Sequence, residues 1–131
     1  MARYVLDTHA LIYALATPRK LGRRARDALR RVERGRAEAW VPAIVVAEIA
    51  RLHDLGRTEL GLPSLRKLFE ESPSVRFLPL DLDQLDEFAV LARIRDPFDR
   101  LIVGAARAQR AKLLSRDAEL DELGLVELVW S

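Results

Sequence analysis

The sequence predicts an α/β fold in which helices cover a parallel β-sheet. Short apolar runs suited to buried strands alternate along the chain with longer segments whose apolar residues recur at helical spacing. This alternation is typical of strands joined by helical crossovers, which make neighbouring strands parallel. The chain has 131 residues, no internal repeat and no low-complexity segment, so we expect a single domain over residues 1–131.

Turn and capping residues mark most ends of the predicted elements. Pro42 suits the first turn of the helix after the second strand, and Gly56 suits the left-handed position that ends it. Asp81 can cap the fifth helix, Pro97 opens the sixth, and Gly124 closes the seventh. The predicted strands cover residues 3–6, 39–41, 75–80, 112–114 and 125–130, and the predicted helices cover residues 8–15, 21–32, 43–55, 62–70, 82–92, 97–110 and 118–123.

Composition excludes several kinds of site. The chain contains no cysteine, which rules out disulfides, thiolate metal sites and thiol catalysis, and which fits a reducing compartment. No apolar stretch approaches the roughly 20 residues that span a bilayer, and a strand-like run begins directly after the amino terminus. We therefore expect a cytoplasmic protein without a signal peptide or a membrane anchor.

Residues 19–36 form a basic segment. The formal net charge of the chain is only +2, but positive residues are concentrated in this segment, whose only acids are Asp27 and Glu33. The positive residues are Arg19, Lys20, Arg23, Arg24, Arg26, Arg30, Arg31, Arg34 and Arg36. The planar guanidinium suits phosphate, so one interpretation is a surface for nucleic acid. The other interpretation is a solvated helix face with no partner.

Four acidic residues stand where apolar segments end or where a helix should face the core. Asp7 follows the first strand, Asp117 follows the fourth, and Glu48 and Asp99 lie in the early turns of helices. Ligands of parallel sheets bind beyond the carboxyl ends of the strands, so these four carboxylates can converge there if the strand order allows it. Clustered carboxylates call for a hard divalent cation such as Mg²⁺ or Mn²⁺. The pattern therefore predicts metal-assisted hydrolysis of a phosphodiester.

Glu48 is the most informative of the four acids because it is not at a helix end. On a helix it shares a face with Ile44 and Leu52, so its charge falls within the stripe expected to pack on the core. An unpaired buried carboxylate is costly and normally needs a cation. The alternative explanation is a simple ion pair with Arg51, three residues further along the helix.

Helix capping is an alternative explanation for the aspartates. Asp7 can cap the helix that follows it, and Asp117 can cap the turn after the fourth strand. The run Asp-Pro-Phe-Asp at 96–99 is also typical of a helix start, with Asp96 at the N-cap and Asp99 in the first turn, where the helix dipole favours an acid. Taken one at a time, these residues leave capping and metal binding open.

Four motifs, in order along the whole chain, resemble those of the PIN-domain ribonucleases: Leu-Asp-Thr-His-Ala, Ala-Glu-Ile-Ala, Asp-Pro-Phe-Asp-Arg-Leu-Ile and Leu-Leu-Ser-Arg-Asp. The likeness is closest to the VapC-type toxins of prokaryotic type II toxin–antitoxin modules. It implies a three-layer α/β/α, flavodoxin-like fold with a short central parallel sheet. It also implies an endoribonuclease for single-stranded or looped RNA, transfer RNA among the candidates, which forms a homodimer and binds a VapB-type antitoxin. DNA would be contacted only through that antitoxin.

The resemblance also assigns the metal ligands residue by residue. It implies that Mg²⁺ or Mn²⁺ is held by an acidic quartet of Asp7, Glu48, Asp99 and Asp117. Asp96 is then an accessory acid. One departure is Pro42, which stands where many relatives carry serine or threonine at the start of the helix bearing the glutamate, so no hydroxyl is available there.

Several polar residues beside the quartet have two explanations each. Thr8 can add its hydroxyl to a metal-bound water or a substrate phosphate, or can serve as a local backbone partner. Ser115 can support the site from beside Asp117, or can be a plain turn residue. Arg100 can orient a carboxylate or bind phosphate, while an ion pair with Asp96 explains it as well. His9 is better explained by packing or surface exposure than by acid–base chemistry.

Two rival functions remain open at this point. A Mg²⁺-dependent phosphohydrolase of the haloacid dehalogenase type also carries an aspartate after its first strand. Such enzymes need a second aspartate two residues later, where this chain has His9. The other rival is a catalytically silent PIN-like module that binds RNA or protein, and the intact quartet argues against it.

Overall fold

The computed structural model describes every residue from Met1 to Ser131 and confirms the predicted three-layer α/β/α fold around a parallel sheet. The strands are β1 Ala2–Leu6, β2 Ala37–Pro42, β3 Val75–Leu78, β4 Lys112–Leu114 and β5 Leu128–Val129. The helices are α1 Thr8–Ala16, α2 Arg23–Glu33, α3 Ala43–Asp54, α4 Leu62–Glu71, α5 Leu82–Val90, α6 Pro97–Ala108 and α7 Ala118–Leu123, with a 3₁₀ helix at Pro18–Lys20. None of these helices combines the length and apolar character needed to cross a membrane.

The strand order is β3-β2-β1-β4-β5, and every neighbouring pair is parallel. From β1 the chain moves outward to β2 and β3 on one side, then returns to place β4 and β5 on the other. The order therefore reverses between β1 and β4, which is where parallel sheets form ligand sites at their carboxyl edge. Asp7 leaves β1 and Ser115 leaves β4 at this point.

The central strands form the most buried part of the core. Val5 of β1, Val41 of β2 and Leu113 of β4 are fully buried, as expected for strands covered by helices on both faces. In the ladder, Val5 is paired with Leu113. The residues that follow β1 and β4 therefore start from a closely packed platform.

Strand ends differ from the prediction where pairing partners decide them. β2 begins two residues earlier, at Ala37, because it pairs with the start of β1. β3 ends at Leu78, where its partner β2 ends at Pro42, and does not continue to residue 80. β5 contains only Leu128–Val129 because it pairs with only two residues of the short strand β4.

The carboxyl terminus packs against the start of α2. The carbonyl oxygen of Trp130 accepts a hydrogen bond from the amide of Ala25 at 3.0 Å. A Cβ atom at Gly22 would overlap the backbone of Trp130, so glycine permits this close approach. The contact brings the amino-terminal end of the basic segment near β5.

Candidate functional site

The structure brings the four predicted carboxylates around one cleft at the carboxyl edge of the sheet. The cleft has a volume of about 360 Å³ and is lined by Asp7, Thr8, His9, Glu48, Asp99, Ile102, Ser115, Arg116 and Asp117. These side chains come from the β1–α1 junction, α3, α6 and the segment after β4. The strand order therefore joins positions that are far apart in sequence.

Asp7 both caps a helix and faces the cleft. Its Oδ1 atom accepts a hydrogen bond of 2.9 Å from the amide of Ala10, which makes it the N-cap of α1. Its own amide donates to the carbonyl of Leu114 at 3.2 Å, so Asp7 is tied to β4 at the switch point. Burial raises the pKa of Asp7, and interactions with Ser115 and Ala10 oppose that rise. Capping and a role in the site are thus compatible for this residue.

Glu48 lies at the rim of the core, half-buried, beside the fully buried Ile49 of the same helix. The alternative of an ion pair with Arg51 is wrong, because Arg51 is exposed and forms no ion pair. Instead the hydroxyl of Thr8 donates to Glu48 Oε1 at 2.8 Å. Burial raises the pKa of Glu48, the Thr8 hydrogen bond opposes the rise, and the charge of Asp96 adds to it.

Asp96 and Asp99 divide the two roles proposed for the start of α6. Asp96 is the N-cap, since its Oδ1 accepts hydrogen bonds from the amides of Phe98 at 2.8 Å and Asp99 at 3.2 Å. The Asp99 carboxylate accepts no hydrogen bond and points into the cleft. Burial, and after it the negative charges of Asp96 and the other three carboxylates, together raise the pKa of Asp99 to about 6. Asp99 is therefore the most strongly perturbed acid of the chain.

Asp117 is the N-cap of α7. Its Oδ1 atom accepts hydrogen bonds from the amides of Glu119 at 2.9 Å and Leu120 at 3.2 Å, which leaves Oδ2 without a protein donor. The amide of Asp117 donates to the hydroxyl of the buried Ser115 at 3.1 Å. This contact agrees with the local turn explanation of Ser115, and it fixes the turn that presents Asp117.

Arg100 does not reach the cleft, which corrects the expectation that it serves the site. Its Nε atom donates to the carbonyl of Phe88 at 2.7 Å, and its guanidinium lies 4.0 Å from the centre of the Phe88 ring. It forms no ion pair with Asp96. The side chain joins α6 to α5 because a carbonyl and an aromatic face are nearer than the carboxylates.

The sequence prediction missed Arg116, which lines the cleft between two residues that it did identify. The available signal was its place in Leu-Leu-Ser-Arg-Asp, between Ser115 and Asp117. His9 also lines the cleft and is exposed. Arg116 shows no apolar or charge pattern that would have singled it out, whereas His9 was considered from sequence and explained by packing or surface exposure.

The structure divides the basic segment between two regions. Arg26 donates to the carbonyl of Leu21 at 3.1 Å, and Arg30 pairs with Asp27 at 3.5 Å. Both arginines line a largely apolar cavity that shares no residue with the carboxylate cleft. Arg24 instead lines a cavity that shares residues with the carboxylate cleft. Only part of the segment therefore adjoins the candidate site.

The four carboxylates suit a divalent cation by charge and by ligand type. None of them forms an ion pair, although the chain carries 22 lysine and arginine residues. No three acidic or histidine side chains already converge on one point that could hold an ion. Mg²⁺ does not require such a cage, because it usually keeps several waters and takes one or two carboxylates with substrate phosphate. The oxygen-only donor set fits Mg²⁺ or Mn²⁺.

Comparison with known families gives one match. A family model described as the PIN domain matches residues 4–125 of this chain. No curated protein sequence matches it.

Solved structures with a similar fold are distant in sequence. VapBC2 from Rickettsia felis, bound to a DNA fragment from its promoter, has 17% identity and a TM-score of 0.72, with 98% of this chain and 99% of that chain covered. FitAcB from Neisseria gonorrhoeae has 20% identity and a TM-score of 0.66, with 95% of each chain covered. A toxin–antitoxin complex from Klebsiella pneumoniae has 16% identity and a TM-score of 0.60, with 88% of each covered. At these identities the likeness shows a shared fold.

Proposed function

This chain belongs to the PIN-domain family, as its motifs predict, and we propose that it is a metal-dependent endoribonuclease for single-stranded or looped RNA. PIN domains are generally nucleases. The observation that carries the proposal is the group of unpaired carboxylates, Asp7, Glu48, Asp99 and Asp117, around one cleft at the switch point of the sheet. Such a group raises its own pKa values by burial and repulsion, and a bound cation relieves both.

The quartet is proposed to hold one or two Mg²⁺ or Mn²⁺ ions. When bound, such an ion lowers the pKa of its water and stabilises the negative charge that develops on the phosphoryl group. The protein holds the ligands in place before the ion arrives. Thr8 fixes Glu48, and Ser115 with the first amides of α7 fixes Asp117. Partners of this kind orient metal ligands and raise metal affinity.

The proposed biological role is that of the toxin in a type II toxin–antitoxin pair. The fold is shared, over nearly the whole chain, with VapBC2 and with a protein described as part of a toxin–antitoxin complex. We propose a VapB-type antitoxin as the partner, a homodimer as the assembly and the cytoplasm as the location. Contact with DNA would run through the antitoxin, because no helix-turn-helix reader is evident in this chain.

The test is cleavage of a panel of single-stranded RNAs and transfer RNAs by antitoxin-free protein, with Mg²⁺, with Mn²⁺ and with a chelator. We expect cleavage only with metal. Asp99→Asn should lower the rate by more than about 100-fold. Loss of a residue that only hydrogen-bonds to a metal ligand costs up to about 100-fold, and loss of a ligand should cost more. The matched control is Glu38→Gln, which also removes one acid, but one that is paired with Arg3 and Arg76 away from the cleft. It should cleave like the wild type.

Three results would contradict the proposal. Equal cleavage by the wild type and Asp99→Asn would remove the carboxylates from the mechanism. RNA binding by folded protein without cleavage in any metal would indicate the silent binding module. Phosphatase activity that beryllium fluoride inhibits would indicate a phospho-aspartate and the haloacid dehalogenase type of chemistry.

A further inference from the structure

Arg116 is the one arginine or lysine in the lining of the carboxylate cleft, and it pairs with none of the carboxylates. Its Nη2 atom instead donates a hydrogen bond of 2.8 Å to the hydroxyl of Tyr13. The guanidinium carbon lies 5.2 Å from the centre of the Tyr13 ring. An arginine beside several carboxylates gains most from a bidentate ion pair, so its attachment to a neutral hydroxyl requires an explanation.

Tyr13 is a rigid support for this arginine. It is only 7% exposed, and its ring packs on those of His9 and Trp130, with centroid distances of 6.0 and 6.3 Å. A tyrosine held in this way has little rotamer freedom, so its hydroxyl defines where the guanidinium lies. The arrangement keeps the cation beside the carboxylates without neutralising them.

Other cations extend the same flank. Arg116 also lines an adjoining cavity of about 250 Å³, whose lining includes Arg24 together with Asp117 and Asp121. The ammonium group of Lys20 lies 5.4 Å from the centre of the Tyr13 ring. Neither Arg24 nor Lys20 forms an ion pair. Two further cations without ion pairs thus lie near Arg116 and Tyr13, Arg24 in the adjoining cavity and Lys20 beside the Tyr13 ring.

We propose that Arg116, positioned by Tyr13, binds an RNA phosphate next to the one being hydrolysed, and that Arg24 and Lys20 continue this contact along the RNA backbone. The inference rests on the proposed function and adds the residues that hold the substrate. Only one guanidinium N–H group is used by Tyr13, so the others remain for the two parallel hydrogen bonds that a phosphate accepts. Arg116 is the substrate-binding residue and Tyr13 is its positioning residue.

The experiment measures binding without relying on cleavage. Affinity for a fluorescent single-stranded RNA is determined at several NaCl concentrations in Ca²⁺, which takes the same oxygen ligands as Mg²⁺ with looser geometry, and the RNA is checked for integrity afterwards. Arg116→Gln should weaken binding about tenfold, the effect of losing a hydrogen bond to a charged group. It should also lower the slope of log Kd against log salt by about 0.7, since one phosphate contact is lost.

Arg66→Gln is the matched control. Arg66 is exposed on α4, makes no hydrogen bond or ion pair, and lines neither the cleft nor the adjoining cavity. Its loss changes the net charge by the same amount and should alter affinity by less than about twofold. Equal effects of Arg66→Gln and Arg116→Gln would show a general charge effect and would overturn the proposal.

Tyr13 is tested by a double-mutant cycle. Tyr13→Phe keeps the ring and removes the hydroxyl. As a single substitution it should weaken RNA binding about threefold, whereas adding it to Arg116→Gln should cause no further loss. Additive losses would show that Tyr13 does not act through Arg116. Arg116→Lys should recover the salt dependence but not the full affinity, because lysine carries the charge without the planar fork.

The outcome separates this inference from the proposed function. In cleavage assays, Arg116→Gln should raise KM with little change in kcat, since it removes binding and not the metal ligands. Metal-dependent cleavage with RNA affinity that does not depend on Arg116 would overturn the inference and leave the nuclease standing. RNA binding that depends on Arg116 without any cleavage would support Arg116 as an RNA-binding residue and overturn the proposed nuclease function.

Discussion

Acidic residues at two edges of the same sheet have opposite surroundings. At the amino-terminal edge, Glu38 of β2 lies between Arg3 of β1 and Arg76 of β3, with N–O distances of 3.9 and 3.8 Å. At the carboxyl edge, four carboxylates share a cleft and none has a cationic partner. Acids on this sheet can therefore be paired with arginines, and the acids at the point where the strand order reverses are not.

The difference supports the proposed metal site at the carboxyl edge, because unpaired acids that are close together destabilise the protein when no cation is bound. Arg116 reinforces this interpretation, because it lies beside the acids and is held on Tyr13. An arginine that paired with the acids would stabilise the free protein and obstruct a metal. Strongly perturbed acids in a cleft are a common mark of function, and here the perturbation comes from burial and mutual repulsion.

Among variants that test the difference between the two edges, we expect Thr8→Val to have the largest effect, a loss of metal affinity. The Thr8 hydroxyl is the one side-chain donor to Glu48, and valine keeps the shape but removes the hydrogen bond. Glu48 would then lose its orientation and part of the stabilisation of its charged form. Loss of such an outer partner should lower Mn²⁺ affinity by about 10- to 100-fold, measured by titration of the metal.

Thr17→Val controls for the loss of a threonine hydroxyl, because Thr17 ends α1 without a side-chain hydrogen bond in the cap. It should bind Mn²⁺ like the wild type. Unchanged affinity in Thr8→Val would mean that Glu48 does not hold the metal.

The fold and the acids could be predicted from sequence because their signals are local. Apolar runs mark strands covered on both faces, and Asp-Pro or a trailing glycine marks a helix end whatever the rest of the chain does. Asp7 directly follows the first strand and Asp117 comes three residues after the fourth, so their place at the carboxyl edge needs only a parallel sheet. The acids that line the cleft could therefore be identified from short segments of the sequence.

The remaining features depend on contacts between distant segments. The sequence suggested Arg51 as a partner for Glu48 and Asp96 as a partner for Arg100, since each lies on the adjacent turn of its helix. In the structure, Glu48 accepts a hydrogen bond from Thr8, and Arg100 donates one to the carbonyl of Phe88. The strand order brings the first pair together, and the packing of α5 on α6 brings the second pair together. The link from Arg116 to Tyr13 spans 103 positions and has no local signal.

A smaller effect is expected for stability in the absence of metal. The raised pKa of Asp99 means that the folded protein binds this proton more tightly than the unfolded chain does. The resulting stability is fully present below the ordinary value of 3.8 and is lost as the pH rises through about 6. Since the side chain is half-exposed, solvent screening limits the change to about 1 kcal/mol.

Urea unfolding in chelator measures this effect. The wild type should lose stability between pH 4 and pH 7, and Asp99→Asn should lose less, so that the variant is more stable than the wild type at pH 7. Addition of Mg²⁺ at pH 7 should reverse the order, because a bound cation stabilises the wild type by mass action. A variant less stable than the wild type at pH 7 without metal would show that Asp99 carries no repulsion.

The smallest effect, and the most direct check of the comparison, is Glu38→Gln. This variant changes the net charge as Asp99→Asn does, but it breaks two ion pairs whose arginine side chains are about half exposed, 50% and 52%. Exposed pairs contribute little, so the free energy of unfolding at pH 7 should fall by about 0.5 kcal/mol. The two variants should therefore move stability in opposite directions under the same conditions. Shifts of the same sign would mean that net charge, and not the local pairing of each acid, sets the energetics of both edges.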